Sequence, residues 1–369
     1  VGKSVKKTSR QLADGREIVY FDLRGDTPRE AVDQRPLEAT VTASRIRYDP
    51  LRAEWVAVTA HRQGRTYHPP ADECPLCPSR GGRHSEIPES DYDVAVFENR
   101  FPSFAGDPGP PRAEGAYGLF AQRPGAGRCE VVCFTSDHDS SFADLSEQQA
   151  RLVLDAWTDR TAELSRLPGV RQVFCFENRG AEIGVTLGHP HGQIYAYPFT
   201  TPRTERMLAA LAAHRERTGR NLFEDVVEAE VTAGERVVLS GEHWVAFVPH
   251  AAHWPYEVHL HPRRRVADLT ELTEAERAEF PRIYLELLRR FDRLFGPDEP
   301  PTPYIAAWHQ APAGVVERAE FALHLEVFTI RRTSGKLKFL AGSESGMNVF
   351  INDVPPETAA QRLREVASE

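Results

Sequence analysis

Ala143-Asp144-Leu145-Ser146 and Ala267-Asp268-Leu269-Thr270 are two versions of one signal. In each, short oxygen-bearing side chains stand just ahead of an amphipathic run, the pattern that satisfies the first N–H groups of a helix. Behind the first come Ala150, Val153, Leu154, Trp157 and Leu164, and behind the second Phe280, Ile283, Leu287, Phe291 and Leu294. Both sets recur at helical spacing, so each helix carries one apolar stripe for packing against a sheet. Upstream, the strand-like run 93–97 is echoed by 244–248, and 130–134 by 257–260; downstream, 173–176 is echoed by 304–307. Strands around His189 to Tyr197 and Phe321 to Ile330 close the two series. Segments of about 150 residues therefore reappear in one order, strand, strand, helix, strand, strand. Short connections around a single long helix predict an α+β fold, mainly an antiparallel sheet with helices packed on it. The halves join through a helix-like run from about 198 to 234, which divides the chain into units 1–197 and 198–369.

Composition narrows the function. Of 369 residues 41% are hydrophobic and 27% charged, which excludes wholesale disorder. Lys plus Arg is 45 against 54 for Asp plus Glu, a net charge of -9 with no run of like sign, so no nucleic-acid partner is expected. No stretch of about 18 apolar residues is present and the segment from Val1 to Lys7 lacks a signal-peptide core, so a cytoplasmic protein with no membrane partner is expected. Five cysteines, an odd count in a long chain, read as reduced thiols. Proline and glycine crowd residues 102–127, and the lack of any periodic pattern there predicts a mobile loop.

The chemistry concentrates in Leu187-Gly188-His189-Pro190-His191-Gly192-Gln193-Ile194-Tyr195, preceded by Phe176-Glu177-Asn178-Arg179-Gly180. At a period of two, His189, His191 and Gln193 share one face of a strand. An imidazole in such a row attacks phosphorus through one nitrogen while a carbonyl holds the proton on the other. Cys74-Pro75-Leu76-Cys77-Pro78 is a C-x-x-C with no helix start behind it, which favours metal binding over redox chemistry. Zinc takes four N or S ligands, and His138 and His189 are the candidates for the other two. Arg62 and Arg65, three apart after a strand, are spaced to clamp a phosphate.

Taken together these residues resemble the galactose-1-phosphate uridylyltransferases, a branch of the histidine-triad superfamily. The likeness runs over nearly the whole chain and is carried by the run from Asp49 to Arg65, Cys-Pro-Leu-Cys-Pro at 74–78, Phe-Glu-Asn-Arg-Phe at 97–101, Phe-Glu-Asn-Arg-Gly at 176–180, His-Pro-His-Gly-Gln at 189–193, and Lys338, Phe339 and Glu344. It implies duplicated histidine-triad-like units, the first catalytic and the second supplying substrate walls and dimer surface. It also implies a ping-pong reaction of galactose metabolism, the Leloir pathway, in which UDP-glucose gives UMP to His191 and galactose 1-phosphate takes it up. Gln193 stands where hydrolytic relatives have a third histidine. Asn178 and Thr186 are then expected near the phosphoryl oxygens, and Phe97, Asn99 and Phe101 around the nucleoside. Arg62 and Arg65 are expected at the sugar phosphate, across the contact of a homodimer with shared active sites, and Lys338, Phe339 and Glu344 at the sugar. Cys74, Cys77, His138 and His189 match the family's ligands for one structural Zn2+ per chain.

Several positions depart from the pattern. Thr186 and Gly188 replace a serine and its neighbour, which leaves one phosphate donor open, and Ser343 stands where some relatives have tyrosine. His309 and His324 match a second metal site, but Glu326 replaces a histidine and Met207 falls near an expected glutamate, so that second metal is not carried over intact. Because a scaffold does not fix a substrate, a related ADP-glucose or UDP-sugar phosphorylase is the alternative, followed by a non-catalytic nucleotide-sugar binder.

Overall fold

The computed structural model describes residues 5–39, 44–59 and 69–368. In chain order the strands of the first half are β1 (Lys6–Gln11), β2 (Glu17–Asp22), β3 (Arg45–Asp49), β4 (Glu54–Val58), β5 (Val94–Glu98), β6 (Arg112–Glu114), β7 (Phe120–Pro124), β8 (Arg128–Cys133), β9 (Gln172–Arg179) and β10 (His191–Tyr197). Those of the second are β11 (Val237–Ser240), β12 (Trp244–Phe247), β13 (Tyr256–Pro262), β14 (Tyr304–His309), β15 (His324–Thr329), β16 (Arg331–Thr333) and β17 (Lys336–Leu337). The helices are α1 (Glu147–Leu164), α2 (Pro202–Thr218), α3 (Leu222–Ala233), α4 (Glu274–Arg293) and α5 (Pro356–Glu365).

Eleven strands form one sheet in the order β1-β2-β5-β8-β10-β9-β14-β15-β13-β12-β11. Read from the centre outward, β9-β10-β8-β5 on one side matches β14-β15-β13-β12 on the other, so the duplicated pattern becomes a pseudo-symmetric sheet. The join is the antiparallel pair β9–β14, with Phe176 opposite Ala307 and Asn178 opposite Ile305. The α+β architecture expected from the sequence is the one observed.

The first expected cap is present, Ser146 accepting from the N–H of Gln149 at 3.1 Å. The second signal caps a short turn instead, Asp268 accepting from the N–H of Thr270 at 2.8 Å, and α4 starts three residues later with a reciprocal capping box of Thr273 and Glu276. The predicted stripes of α1 and α4 pack on one face of the sheet, where Val153, Trp157, Phe280, Leu287 and Phe291 are all at most 3% exposed. Each such side chain contributes roughly 1.5–3 kcal/mol on burial.

Residues 102–127 do not form the expected loop. They supply β6 and β7, which pair with β3 and β4 in a second sheet of order β4-β3-β7-β6. Apolar alternation is missing because β6 is wholly exposed and β7 puts Arg123, rather than an aliphatic residue, on its inner face, with the guanidinium 4.5 Å from the Trp55 ring centre. The glycines mark the turn, where Gly115 and Gly118 take φ of 81° and 68°. This sheet covers Phe104, Tyr195, Tyr197 and Phe199 at one end of the face opposite the helices.

Helix α1 is locked to the sheet by charge as well as by apolar contact. Arg160 grips Glu130 on β8 with two bonds of 2.8 and 2.9 Å, and the two residues are 2% and 1% exposed. Removing Arg160 leaves the buried Glu130 with Arg128 alone, at 2.7 Å, and one of its oxygens without a charged partner. Arg160→Met is therefore expected to destabilise the protein by about 3–5 kcal/mol, and adding Glu130→Leu is expected to recover much of that loss. Denaturant unfolding of both variants checks this; equal stability of Arg160→Met and the parent chain contradicts it.

Candidate active site

Pro190 has no N–H, so pairing of β10 begins only at His191, which lies opposite Cys133 of β8. His191 and Gln193 share one face of β10, and His189, just ahead of the strand, is 1% exposed and meets Tyr92, Thr135 and Cys77. Along β10 burial alternates, with Gly192, Ile194 and Ala196 buried and His191, Gln193, Tyr195 and Tyr197 partly open. Gly192 is forced by crowding: a Cβ there would lie 2.8 Å from both Cζ of Phe134 and the carbonyl oxygen of Phe176. Gln193 faces Val131 on one side and Phe176 on the other. Continued by two residues, the second register brings Asn178 across from His191.

The imidazole of His191 is oriented by the backbone two residues back. Its Nδ1 lies 2.8 Å from the carbonyl oxygen of His189. A carbonyl only accepts, so Nδ1 carries the proton and the lone pair belongs to Nε2. That is the tautomer a nucleophilic histidine needs.

A cavity of about 150 Å³ is lined by His191 and Gln193 together with Phe97, Asn99, Phe101, Thr186, Glu86 and Arg100. A second, of about 270 Å³, shares His191 and is lined by Asn178 and Gly188. Asn99 is pinned by accepting from the N–H of Phe101 at 2.9 Å. Six of the residues expected around the nucleotide (Phe97, Asn99, Phe101, Thr186, His191 and Gln193) thus line one space, and Asn178 lines its neighbour. Arg62 and Arg65 lie outside the described residues. Lys338, Phe339 and Glu344 line neither cavity: Lys338 pairs with Glu344 at 2.9 Å in a buried contact, while Phe339 is 72% exposed.

Cys74, Cys77, His138 and His189 converge, each offering one ligand atom, with all four atoms within 4.8 Å of one another. Cys77 Sγ lies 3.2 Å from Nδ1 of His138 and 3.5 Å from Nδ1 of His189. The other nitrogen of His189, Nε2, is 2.8 Å from the carbonyl of Thr135 and 2.9 Å from the Tyr92 hydroxyl. Its proton goes to that carbonyl, and the lone pair on Nδ1 faces the sulfurs. Burial, with His138 and His191 nearby, pushes His189 down to about 4, so it is neutral at neutral pH. Burial and the adjacent Cys74 push the Cys77 thiol up to about 11. Two thiols and two imidazoles that converge in this way form a set of donors that a metal ion completes.

In the second half, His309, His324 and Glu326 also converge. Glu326 Oε2 is 2.8 Å from Arg203 and 3.2 Å from Nε2 of His309. Met207 packs against the cluster of Ala267, Ala311 and Phe321, contributing no charge.

Sequence reasoning missed Tyr92, Thr135 and Glu86, which sit in no motif and meet the site only through the fold, and gave no role to Arg100 within the 97–101 run. It also missed what happens to Glu177, which faces the helix side. Burial pushes its carboxyl up to about 7, with partial relief from Arg179 and from the Tyr304 hydroxyl 2.9 Å away.

Fold and site together define a group-transfer enzyme, and comparison with known proteins narrows the class. Residues 34–201 match the N-terminal domain, and residues 207–369 the C-terminal domain, of galactose-1-phosphate uridyl transferase. The chain is 64% identical over 370 residues to the galactose-1-phosphate uridylyltransferase of Streptomyces lividans, covering 98% of each protein. It is 40% identical to that of Thermotoga maritima, over 88% of this chain and 99% of the relative. A solved structure of a uridylyltransferase superposes with a TM-score of 0.77 at 33% identity, over 87% of this chain and 98% of the other. The chain belongs to the galactose-1-phosphate uridylyltransferase family.

Two outcomes follow from the site. The folded protein is expected to carry one tightly held metal ion per chain at the cysteine cluster and to lose several degrees of melting temperature on chelation; unchanged melting of a metal-free sample contradicts this. Glu177 holds a proton in the folded state that the unfolded chain releases near 4.5, so its contribution is complete below that pH and is lost as pH rises through about 7. The span corresponds to about 3 kcal/mol. Glu177→Gln is expected to flatten that part of the stability–pH curve, measured by urea unfolding from pH 4.5 to 8, and an unaltered slope counts against the assignment.

Proposed function

We propose that the chain transfers UMP from UDP-glucose to galactose 1-phosphate, giving glucose 1-phosphate and UDP-galactose, by a ping-pong route through a uridylyl group on Nε2 of His191. The observation that carries this reading is the 2.8 Å contact from His191 Nδ1 to the His189 carbonyl, which puts the lone pair on Nε2. In the first step Nε2 attacks the α-phosphorus and the bond to the glucose 1-phosphate oxygen breaks, that oxygen taking the electron pair. The imidazole becomes positively charged, and the His189 carbonyl holds its Nδ1 proton throughout. In the second step a phosphate oxygen of galactose 1-phosphate attacks the same phosphorus and Nε2 leaves with its electrons. One phosphate linkage is exchanged for another, so the enzyme's task is to align the reactants and to stabilise charge on the phosphoryl oxygens.

The amides of Gln193 and Asn178, with the Thr186 hydroxyl, are the donors for those oxygens. Gln193 has no imidazole to activate water, which favours transfer over hydrolysis. Phe97, Asn99 and Phe101 hold the nucleoside. Arg62, Arg65, Lys338, Phe339 and Glu344 serve the sugar phosphate, acting across a homodimer; that Lys338, Phe339 and Glu344 line neither cavity beside His191 supports their acting on a second copy. The metal at Cys74, Cys77, His138 and His189 is zinc, for which paired thiolates and imidazoles are the favoured set, and its role is structural. The division of labour is residues 1–197 for catalysis and 198–369 for walls and dimer surface, because the place of His191 in the repeat is taken by Glu326, tied to Arg203. The reaction belongs to galactose metabolism by the Leloir route, in the cytoplasm. No helix among the described residues is long and apolar enough to cross a membrane.

Initial rates with varied UDP-glucose and galactose 1-phosphate are expected to give parallel reciprocal lines, and His191→Ala is expected to lose turnover by on the order of 10⁴-fold while melting as the parent does. Intersecting lines, or an active His191→Ala, overturn the proposal.

A further inference from the structure

Glu86 is the only carboxylate among the described residues lining the 150 Å³ cavity that holds His191. It is 7% exposed, and its charge is balanced from two sides. Arg16 Nη2 reaches Oε2 at 2.5 Å and Arg35 Nη1 reaches Oε1 at 2.9 Å. These arginines are held in turn by Asp14 at 2.8 Å and Asp33 at 2.7 Å. Arg16 also donates to the backbone carbonyl of Glu98, between Phe97 and Asn99, at 2.8 Å. A buried ion chain of this kind adds little stability over apolar packing. What it does is hold one ionised carboxylate at the cavity wall.

The register places that carboxylate away from the reacting end. Phe97, Val131 and Gln193 lie in one row across β5, β8 and β10, so Phe97 is two strand spacings, about 10 Å, from Gln193. Arg16 stands just before β2, whose Ile18 pairs with Phe97 on the far side of that row. The acceptors at the cavity are few. Asn99 Oδ1 already accepts from Phe101, and Gln193 Oε1 from the Tyr195 hydroxyl at 3.3 Å. Glu86 offers acceptor lone pairs and nothing else; Oε2 meets both Arg16 and Arg35, while Oε1 keeps one lone pair after meeting Arg35.

Resting on the reading of this cavity as the nucleotide site, we infer that Glu86 determines base specificity by accepting the N3–H of uracil, with Arg16 and Arg35 holding it in place for that bond. Uracil presents a single ring N–H between two carbonyls. Cytosine has a lone pair at N3 and adenine one at N1, so either would set an acceptor against the carboxylate in a buried site, an arrangement such sites reject strongly.

The test uses the full chain and two measurements. Glu86→Gln is expected to lower kcat/KM for UDP-glucose about 10- to 100-fold while CDP-glucose falls less or rises, so that discrimination collapses. Calorimetry on the unaltered enzyme, which does not depend on the variant folding, is expected to show 3-methyluridine 5′-monophosphate binding at least about 10-fold more weakly than UMP. Equal losses for both donors, no loss, or equal binding of the methylated nucleotide overturns the assignment. Failure of the unaltered enzyme to form any uridylyl adduct counts against the reading of His191, whereas an adduct formed without base discrimination counts against Glu86 alone.

Discussion

The carbonyl oxygen of His189 is the point on which the site turns. By accepting from Nδ1 of His191 it assigns the proton and leaves the lone pair on Nε2. The carbonyl can do this only if its own residue is immobile, and His189 is held on both ring nitrogens, by Thr135 and Tyr92 on one side and by the Cys77 and His138 cluster on the other. The cysteine–histidine cluster and the imidazole of His191 are thus successive links of one chain of contacts, with Pro190 as the rigid spacer between them. A metal held there acts on the chemistry through position.

The duplicated sheet accounts for the proposal that only one of two similar places is reactive. Both halves bring a strand with an x-His-x-polar pattern to the middle of the sheet, β10 in the first and β15 in the second, on either side of the β9–β14 join. In the first half the second polar position is His191, beside an open cavity. In the second it is Glu326, 2% exposed and neutralised by Arg203 and by the histidines around it, which hold it well below the usual carboxylate range. A carboxylate so paired is a poor nucleophile, and its strand is left to build the scaffold.

Much of this was legible in the sequence because it is local. The cap at Ser146 and the apolar stripes of both long helices read directly, whereas the signal at 267–270 marked a short turn ahead of the true cap, Thr273; comparing the two series revealed the repeat. The metal cluster was legible because its donor types are rare, although its ligands come from three separate segments. The small sheet of β3, β4, β6 and β7 was not, since strands that put arginine and glutamine on a surface layer show no apolar alternation. Tyr92, Thr135 and Glu86 act through contacts that the fold creates between distant segments, and no spacing announces them.

The claim that one imidazole carries the group is tested most directly by mixing the enzyme with UDP-glucose alone, in the absence of an acceptor, and measuring the intact mass, the modified peptide and its phosphorus resonance. The account predicts a gain of one uridylyl group per chain, located on His191 and bonded through Nε2. A protein of unchanged mass, or a uridylyl group on any other residue or on Nδ1, would contradict it.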